Sequence, residues 1–166
     1  MTDNDRPDIL WAPWRMEYIL GTKENGCIFC DKPKQDTDRE NLIVHRGRLS
    51  FVVMNKYPYN NGHLMVVPYR HEAEFERLTA EENLELMALL QSSVRALRKI
   101  MAPHGFNLGM NVGAAAGAGI DCHLHFHIVP RWRADTNFMP VVGHTKVISE
   151  GLWETWGQLR QVFTAD

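Results

Sequence analysis

The stretch His123-Leu124-His125-Phe126-His127-Ile128-Val129 constrains this chain more than any other, because polar and apolar residues alternate from His123 to Ile128. Side chains of a β-strand point alternately to its two faces. The alternation predicts a strand over 123–129 with three imidazoles on the open side of a sheet. Leu124, Phe126 and Ile128 then pack into a core on the other side. A single histidine on a strand is ordinarily a hydrogen-bonded structural residue, whereas three at a period of two mark a functional face.

The rest of the chain supplies elements to surround that strand. Short β-prone runs fall at 42–45, 49–54 and 63–67. Between the last two lies Asn55-Lys-Tyr-Pro-Tyr-Asn-Asn-Gly62, dense in turn formers, so the three runs read as an antiparallel meander. Thr79-Ala-Glu-Glu82 is a capping-box signature. It opens a helix whose Leu86, Leu90, Val94, Leu97 and Met101 recur at three- and four-residue steps and which Pro103 and Gly105 end. Leu84 and Leu89 lie off that stripe, which leaves a second face to bury against another copy of the chain.

A further strand over 106–112 leads through the Gly/Ala loop 113–119 to the histidine strand, and 150–163 reads as a C-terminal helix carrying Trp153 and Trp156. Residues 1–26 read as an irregular arm with Trp11, Trp14 and Tyr18 lying over the body, and 31–40 as solvated loop. Strands in succession around one long helix, without βαβ alternation, indicate an α+β fold with an antiparallel sheet. The 166 residues fit a single domain. It divides into an arm with the Cys pair (1–40), a core (41–134) and a C-terminal extension (135–166).

Charge and cysteine usage narrow the partners. A formal net charge of −2 argues against electrostatic capture of nucleic acid or of an acidic membrane surface, while a small anionic ligand needs only a few local donors. The N-terminal residues lack the plan of a signal peptide, and no apolar run reaches the length of a membrane span. Three cysteines do not make a secreted disulfide framework, so the chain is expected in the cytoplasm with reduced thiols.

Two chemistries suit the histidine row. His-x-His is a common ligand pair for zinc or iron, and Asp121, two residues upstream, would complete a facial site with His123 and His125 for a metal-dependent oxygenase. Alternatively, a neutral imidazole attacks an electrophile such as phosphorus and forms a covalent intermediate. Cys27-Ile-Phe-Cys30 reads as a redox pair, a metal knuckle or neither. Its place in an irregular arm rather than at a strand-to-helix junction disfavours redox, and zinc requires two further ligands. Cys122, one residue out of phase with the triad, reads as a small core residue. His45, His104 and His144 receive no role.

His123-Leu-His-Phe-His-Ile-Val129 resembles the His-φ-His-φ-His-φ-φ signature of the histidine triad (HIT) superfamily of nucleotidyl hydrolases and transferases. Asn55 with Asn61-Gly-His-Leu-Met-Val-Val-Pro68 is similar to a second block of that family. The run from His123 to Pro140 and the arm Leu10-Trp-Ala-Pro-Trp-Arg-Met-Glu-Tyr18 resemble its bacterial branch of diadenosine tetraphosphate phosphorylases. The match extends over roughly Ile9 to Ile148, nearly the whole chain.

The resemblance implies a HIT-like fold of about five antiparallel strands with one long helix and a C-terminal helix, assembled as a homodimer. It implies that His125 is the nucleophile, that His127 donates to phosphate oxygens and that His63 stands behind the nucleophile. It implies that Asn55 contacts the ribose hydroxyls and Asn111 the phosphate or leaving group. The loop ending at Gly119 would bring backbone N–H groups to an anion, and Trp132 would stack on a base or line the pocket. It also implies a closed, structural zinc site of Cys27, Cys30, His71 and His123.

The substrate so implied is an adenine nucleotide or dinucleoside polyphosphate cleaved at its α-phosphate, with phosphate or water as acceptor. A phosphoramidate-type nucleotide hydrolase and a nucleotide-binding regulator are the alternatives. Many family members carry Ser or Gln near the end of the glycine loop. Ala118-Gly119-Ile120 offers no polar side chain there, so leaving-group recognition falls to backbone groups.

Overall fold

Five strands, β1 (Ile43–Arg46), β2 (Ser50–Met54), β3 (Leu64–Pro68), β4 (Gly105–Met110) and β5 (Phe126–Arg131), pair antiparallel throughout in the order β1-β2-β3-β5-β4. The computed structural model describes residues 26–133, 135 and 151–165. The arm with Trp11, Trp14 and Tyr18, and the segment with Pro140 and His144, lie outside the described residues. A one-turn helix α1 (Ile28–Asp31) precedes the sheet, α2 (Ala80–Met101) joins β3 to β4, and α3 (Leu152–Ala165) is the last element. The architecture is the α+β arrangement expected.

The meander follows from its residues. Phe51, Val52, Val53, Leu64, Val66 and Val67 are all fully buried, so β2 and β3 are covered on both faces and their register is fixed. The turn between them reaches the end of α2. At Gly62 (φ +68°) an added Cβ would lie 2.7 Å from Met101 Sδ and 2.9 Å from Leu97 Cδ2, so both conformation and space require glycine there.

Helix α2 begins as its sequence predicts. Glu82 N–H donates to Thr79 Oγ1 at 3.2 Å and Thr79 N–H donates to Glu82 Oε2 at 2.8 Å, a reciprocal cap. Leu86, Leu90 and Leu97 enter the core, and Leu89 joins them at 7% exposure. Leu89 is therefore buried within the chain itself, which leaves Leu84 (74%) and Met87 (48%) as the exposed large apolar residues of that helix. The helix stops at Ala102, whose backbone is left-handed (φ 43°).

Helix α3 covers the outer edge of β1. Trp156 Nε1 donates to the Ile43 carbonyl and Arg160 Nη1 to the Val44 carbonyl, both at 2.9 Å. Phe163 stacks on His45 at 5.1 Å. Trp153 is half exposed, with the Arg39 guanidinium 5.8 Å from its ring.

Two local expectations are corrected. Residues 31–40 are not free loop: Lys32–Lys34 form a 3₁₀ turn, and Arg46 holds the segment through the Pro33 and Gln35 carbonyls and the Asp38 carboxylate. Side chain–backbone bonds from a neighbouring strand were invisible in a run of loop-forming residues. The histidine strand also starts later than its alternation predicts. β5 begins at Phe126, and His123 and His125 lie in an irregular lead-in held by Leu124 N–H donating to the Glu72 carbonyl at 2.7 Å. No helix among the described residues is long and apolar enough to cross a membrane.

Candidate active site and metal centre

Only His127 of the three histidines stands on the ladder, opposite Met65 of β3 and Gly109 of β4. His123 and His125 are 1% and 5% exposed, so the row is sunk into the structure rather than displayed on an open face. A cavity of about 320 Å³ opens beside them. His125, His127, Asn55, Asn111 and Gly119 all line it, which brings five sequence-predicted site residues to one wall.

The hydrogen bonds give the histidines of the site different roles. His125 Nδ1 lies 2.9 Å from the His123 carbonyl. A carbonyl only accepts, so Nδ1 carries the proton and Nε2 keeps its lone pair. Burial lowers the pKa of His125, the bond to that carbonyl opposing it, so the neutral ring is favoured. A neutral imidazole with a fixed lone pair on Nε2 is the state a nucleophile requires.

His63 is placed otherwise than its implied role. It stands behind His127 and not behind His125, with His63 Nε2 2.9 Å from His127 Nδ1. Tyr59 N–H donates to His63 Nδ1 at 3.1 Å, which fixes that nitrogen as an acceptor and Nε2 as a donor. His127 Nδ1 then accepts, and the proton of His127 resides on Nε2. Tyr59 also stacks on His63 at 4.8 Å.

Asn55, one residue past β2, uses Oδ1 to accept Tyr57 N–H at 2.9 Å, and its Nδ2 lies 3.4 Å from His63 Nδ1. Asn111 follows β4 with no hydrogen-bond partner among the described residues, and Gly117 and Gly119 bring backbone alone to the wall. Trp132 stands apart from the cavity: its indole N–H donates to the Met101 carbonyl at 3.3 Å, at the end of α2.

Cys27 and Cys30 are not in irregular chain. Cys27 is the N-cap of α1 and Cys30 lies within it, with Cys30 N–H donating to the Cys27 carbonyl at 2.9 Å. Residues three apart on a helical turn share a side, so both thiols face His71 and His123. Cys27 Sγ lies 3.3 Å from His123 Nδ1, and Cys30 Sγ lies 3.2 Å from His71 Nδ1 and 3.5 Å from His123 Nδ1.

The four donor atoms fall within 4.8 Å of one another, the spacing of ligands around a tetrahedral cation. His123 Nε2 donates to the Pro68 carbonyl at 2.9 Å, which leaves the lone pair of Nδ1 turned toward the thiols, able to ligate, and orients the ring. Burial raises the Cys27 thiol pKa, a cost that a bound divalent cation reverses by favouring thiolate. The donor set therefore fits a metal ion.

Two readings of the triad fail on this geometry. Asp121 is exposed and stands outside the cluster, and His125 spends Nδ1 on a carbonyl, so no facial site of His123, His125 and Asp121 forms among the described residues. Cys122 is exposed rather than buried, because the chain turns at Asp121 and Cys122 before the alternation begins.

Sequence reasoning passed over Phe29. It is 2% exposed, lies 5.0 Å from the His125 ring and 5.6 Å from that of His123, and lines the cavity. The apolar pair inside Cys-Ile-Phe-Cys was the available signal: a motif that holds a metal beside the triad must also bring its middle residues there. Lys32 and Lys56 line the same cavity and were missed as well.

Fold and site together place a pair of oriented histidines on a cavity beside a four-residue cluster that could hold a metal ion. Residues 37–134 match the HIT domain family model, and the chain belongs to the HIT family. It is 44% identical over 160 residues to an AP-4-A phosphorylase of Mycobacterium tuberculosis, covering 91% of this chain and 82% of that one. It is 30% identical over 93 residues to the asymmetrical bis(5′-nucleosyl)-tetraphosphatase of Schizosaccharomyces pombe, covering 56% of this chain and 50% of that protein. In fold it is similar to a Zn-bound histidine triad family protein from Mycobacterium smegmatis, with a TM-score of 0.68, 23% identity, and coverage of 84% of this chain and 94% of that one.

Proposed function

We propose that this chain is a nucleotidyltransferase that cleaves an adenine dinucleoside polyphosphate at its α-phosphate through a nucleotidyl-histidine intermediate, and that its reaction is phosphorolysis of diadenosine tetraphosphate. The observation that carries this reading is the hydrogen bond from His125 Nδ1 to the His123 carbonyl, which presents Nε2 as a nucleophile on the wall of a cavity. The 44% identity to the M. tuberculosis AP-4-A phosphorylase supports the choice of substrate and acceptor.

In the first step His125 Nε2 attacks the α-phosphorus. A P–N bond forms, the P–O bond to the departing nucleoside polyphosphate breaks, and the leaving group takes the electron pair. His127, protonated on Nε2 by its bond to His63, donates to the phosphate oxygens as charge builds there. Asn55 holds the ribose through its amide and Asn111 meets the leaving group. In the second step an oxygen of inorganic phosphate attacks the same phosphorus, the P–N bond breaks and Nε2 recovers its lone pair. With diadenosine tetraphosphate the products are ATP and then ADP.

The metal is zinc in this reading: two thiolates and two imidazoles are its usual structural set, closed to water. Cys27, Cys30, His71 and His123 would hold it, and its contribution is to fix α1 and His123 while taking no part in bond breaking. One zinc per chain by elemental analysis is the expected result. The molecule is read as a homodimer, for which light scattering at twice the chain mass is the check.

The deciding measurement is product analysis with diadenosine tetraphosphate, with and without phosphate. ATP and ADP that form only when phosphate is present support phosphorolysis. AMP and ATP formed without phosphate support water as acceptor, the reading that similarity to the S. pombe tetraphosphatase favours. His125→Ala should abolish turnover while nucleotide binding persists, and substantial remaining turnover removes His125 as the nucleophile.

A further inference from the structure

We propose that Lys32 and Lys56 form a second phosphate-binding position on the cavity wall, separate from the phosphate that His125 attacks. The inference rests on the nucleotide reading for the chemistry of its ligand. Lys32 comes from the 3₁₀ turn that follows α1, and Lys56 from the position next to Asn55, yet both line the one cavity. No carboxylate among the described residues shares that wall with them.

Neither ammonium has an ion-pair partner among the described residues, whereas Lys34, Arg46, Arg48, Arg70, Arg77, Arg131 and Arg160 all do. Arg39, Arg95, Arg98, Lys99 and Arg133 also lack an ion pair among the described residues, but Lys32 and Lys56 are the basic residues that line the cavity. Lys32 is only partly exposed, and a sheltered cation without a counter-charge is costly unless a ligand supplies one.

The stem of Lys32 is also held in place. Its Nζ donates to the Asn41 carbonyl at 3.2 Å, and Asn41 Nδ2 donates back to the Lys32 carbonyl at 3.4 Å. An ammonium has three donors, so two remain for a ligand. Lys56 Nζ lies 5.6 Å from the Tyr57 ring, which leaves all three of its donors for another partner. Two ammonium groups with five donors between them suit a phosphate group, bound as point charges rather than through a planar fork. Because Lys56 follows Asn55, the proposed ribose contact, the second phosphate belongs on the ribose or on a polyphosphate chain that reaches this side.

The test is calorimetric binding to the full chain carrying His125→Ala, so that no ligand is turned over, at one fixed ionic strength. The probes are AMP, ATP, adenosine 3′,5′-bisphosphate and inorganic tripolyphosphate. Adding Lys32→Met and Lys56→Met should weaken at least one of the last three by about 10- to 100-fold, while AMP changes by less than about threefold. A selective loss for ATP and tripolyphosphate places the group on the 5′ chain, and one confined to the bisphosphate places it on the ribose.

No loss for any probe, or an equal loss for AMP and the others, overturns the proposal. Lys56→Met alone, at an exposed position, guards against misfolding and should show a part of the selective loss; the Arg pair should retain affinity. If AMP fails to bind at all, the nucleotide reading is what fails. Tripolyphosphate then still decides whether the lysines hold an anion.

Discussion

His63 and His127 are joined ring to ring, with Nε2 of the first 2.9 Å from Nδ1 of the second. Because Tyr59 N–H holds the other nitrogen of His63 as an acceptor, a backbone amide in a loop dictates which nitrogen of His127 carries its proton. His125 takes the opposite assignment from the His123 carbonyl. Neighbouring rings 4.8 Å apart thus offer the cavity a lone pair and a donor without either having to change state.

Replacing His63 should therefore damage catalysis more than binding. For His63→Ala the expected outcome is a fall in kcat of about 10- to 100-fold, the range for losing a group that orients a functional imidazole, with KM changed less. His63→Gln, whose amide can still donate to His127 Nδ1, should recover part of that loss. Equal losses in both variants would show that the ring acts by packing alone. Steady-state kinetics on both settle the matter.

Metal removal should be felt in stability first. A ligand present at about 1,000 times its Kd stabilises the folded chain by about 4 kcal/mol, which for a protein of this size is about 8–16 °C in Tm. Chelation, or Cys30→Ser, should lower Tm by that order. It should also loosen His123, whose carbonyl fixes the His125 tautomer, so activity should fall alongside the metal content. Calorimetry with metal analysis on the same samples is the check.

The α2 cap predicts an acid limb. Arg70 beside Glu82 is the main cause that holds the Glu82 carboxyl at about 2, helped by the Thr79 amide. A depressed carboxylate pKa stabilises fully above its unfolded value near 4.5 and is lost as pH falls through the folded one, so the window runs from about 4.5 down to about 2. The stability difference between the parent chain and Glu82→Gln should be constant at neutral pH and shrink across that window. Thr79→Ala, which removes the other half of the cap, should cost about 1 kcal/mol.

Two backbone positions should respond in opposite senses. Ala102 sits at φ 43°, a conformation that costs a residue with a Cβ about 1 kcal/mol relative to glycine. Ala102→Gly should be stabilising by about that much. Gly62→Ala meets both a positive φ and the Met101 and Leu97 side chains, and should cost about 2 kcal/mol or more. Denaturant titrations of the two variants measure both.

The sequence was most legible where a short-range rule operates. Thr79 and Glu82 specify their own cap, and the buried runs at 51–53 and 64–67 specify the inner strands, because each depends on residues a few positions apart. It was least legible where a partner comes from far along the chain. His123 and His125 follow the strand period yet leave the ladder, since Glu72 rather than β4 pairs with Leu124. His63 sits behind His127 because Met65, two residues on from His63, stands opposite His127 across the ladder, and that register is not written in either motif. Lys32 lies in a stretch whose composition says only loop, and its neighbour Asn41 becomes visible once the chain has folded.

The two rims of the sheet differ in a way that bears on self-association. On β1, Trp156 and Arg160 occupy the carbonyls of Ile43 and Val44, so an incoming strand finds α3 and its side chains already bonded there. On the far rim, β4 has no strand beyond it among the described residues and displays Leu108 at 51% exposure. An unprotected rim invites strand addition, with aggregation as the hazard. With the opposite rim stoppered, growth by that route ends after a single joining event, because the product has no free rim left to extend. Helix α3 thus works as a chain terminator, and cutting it away would turn a self-limiting surface into one open at both ends.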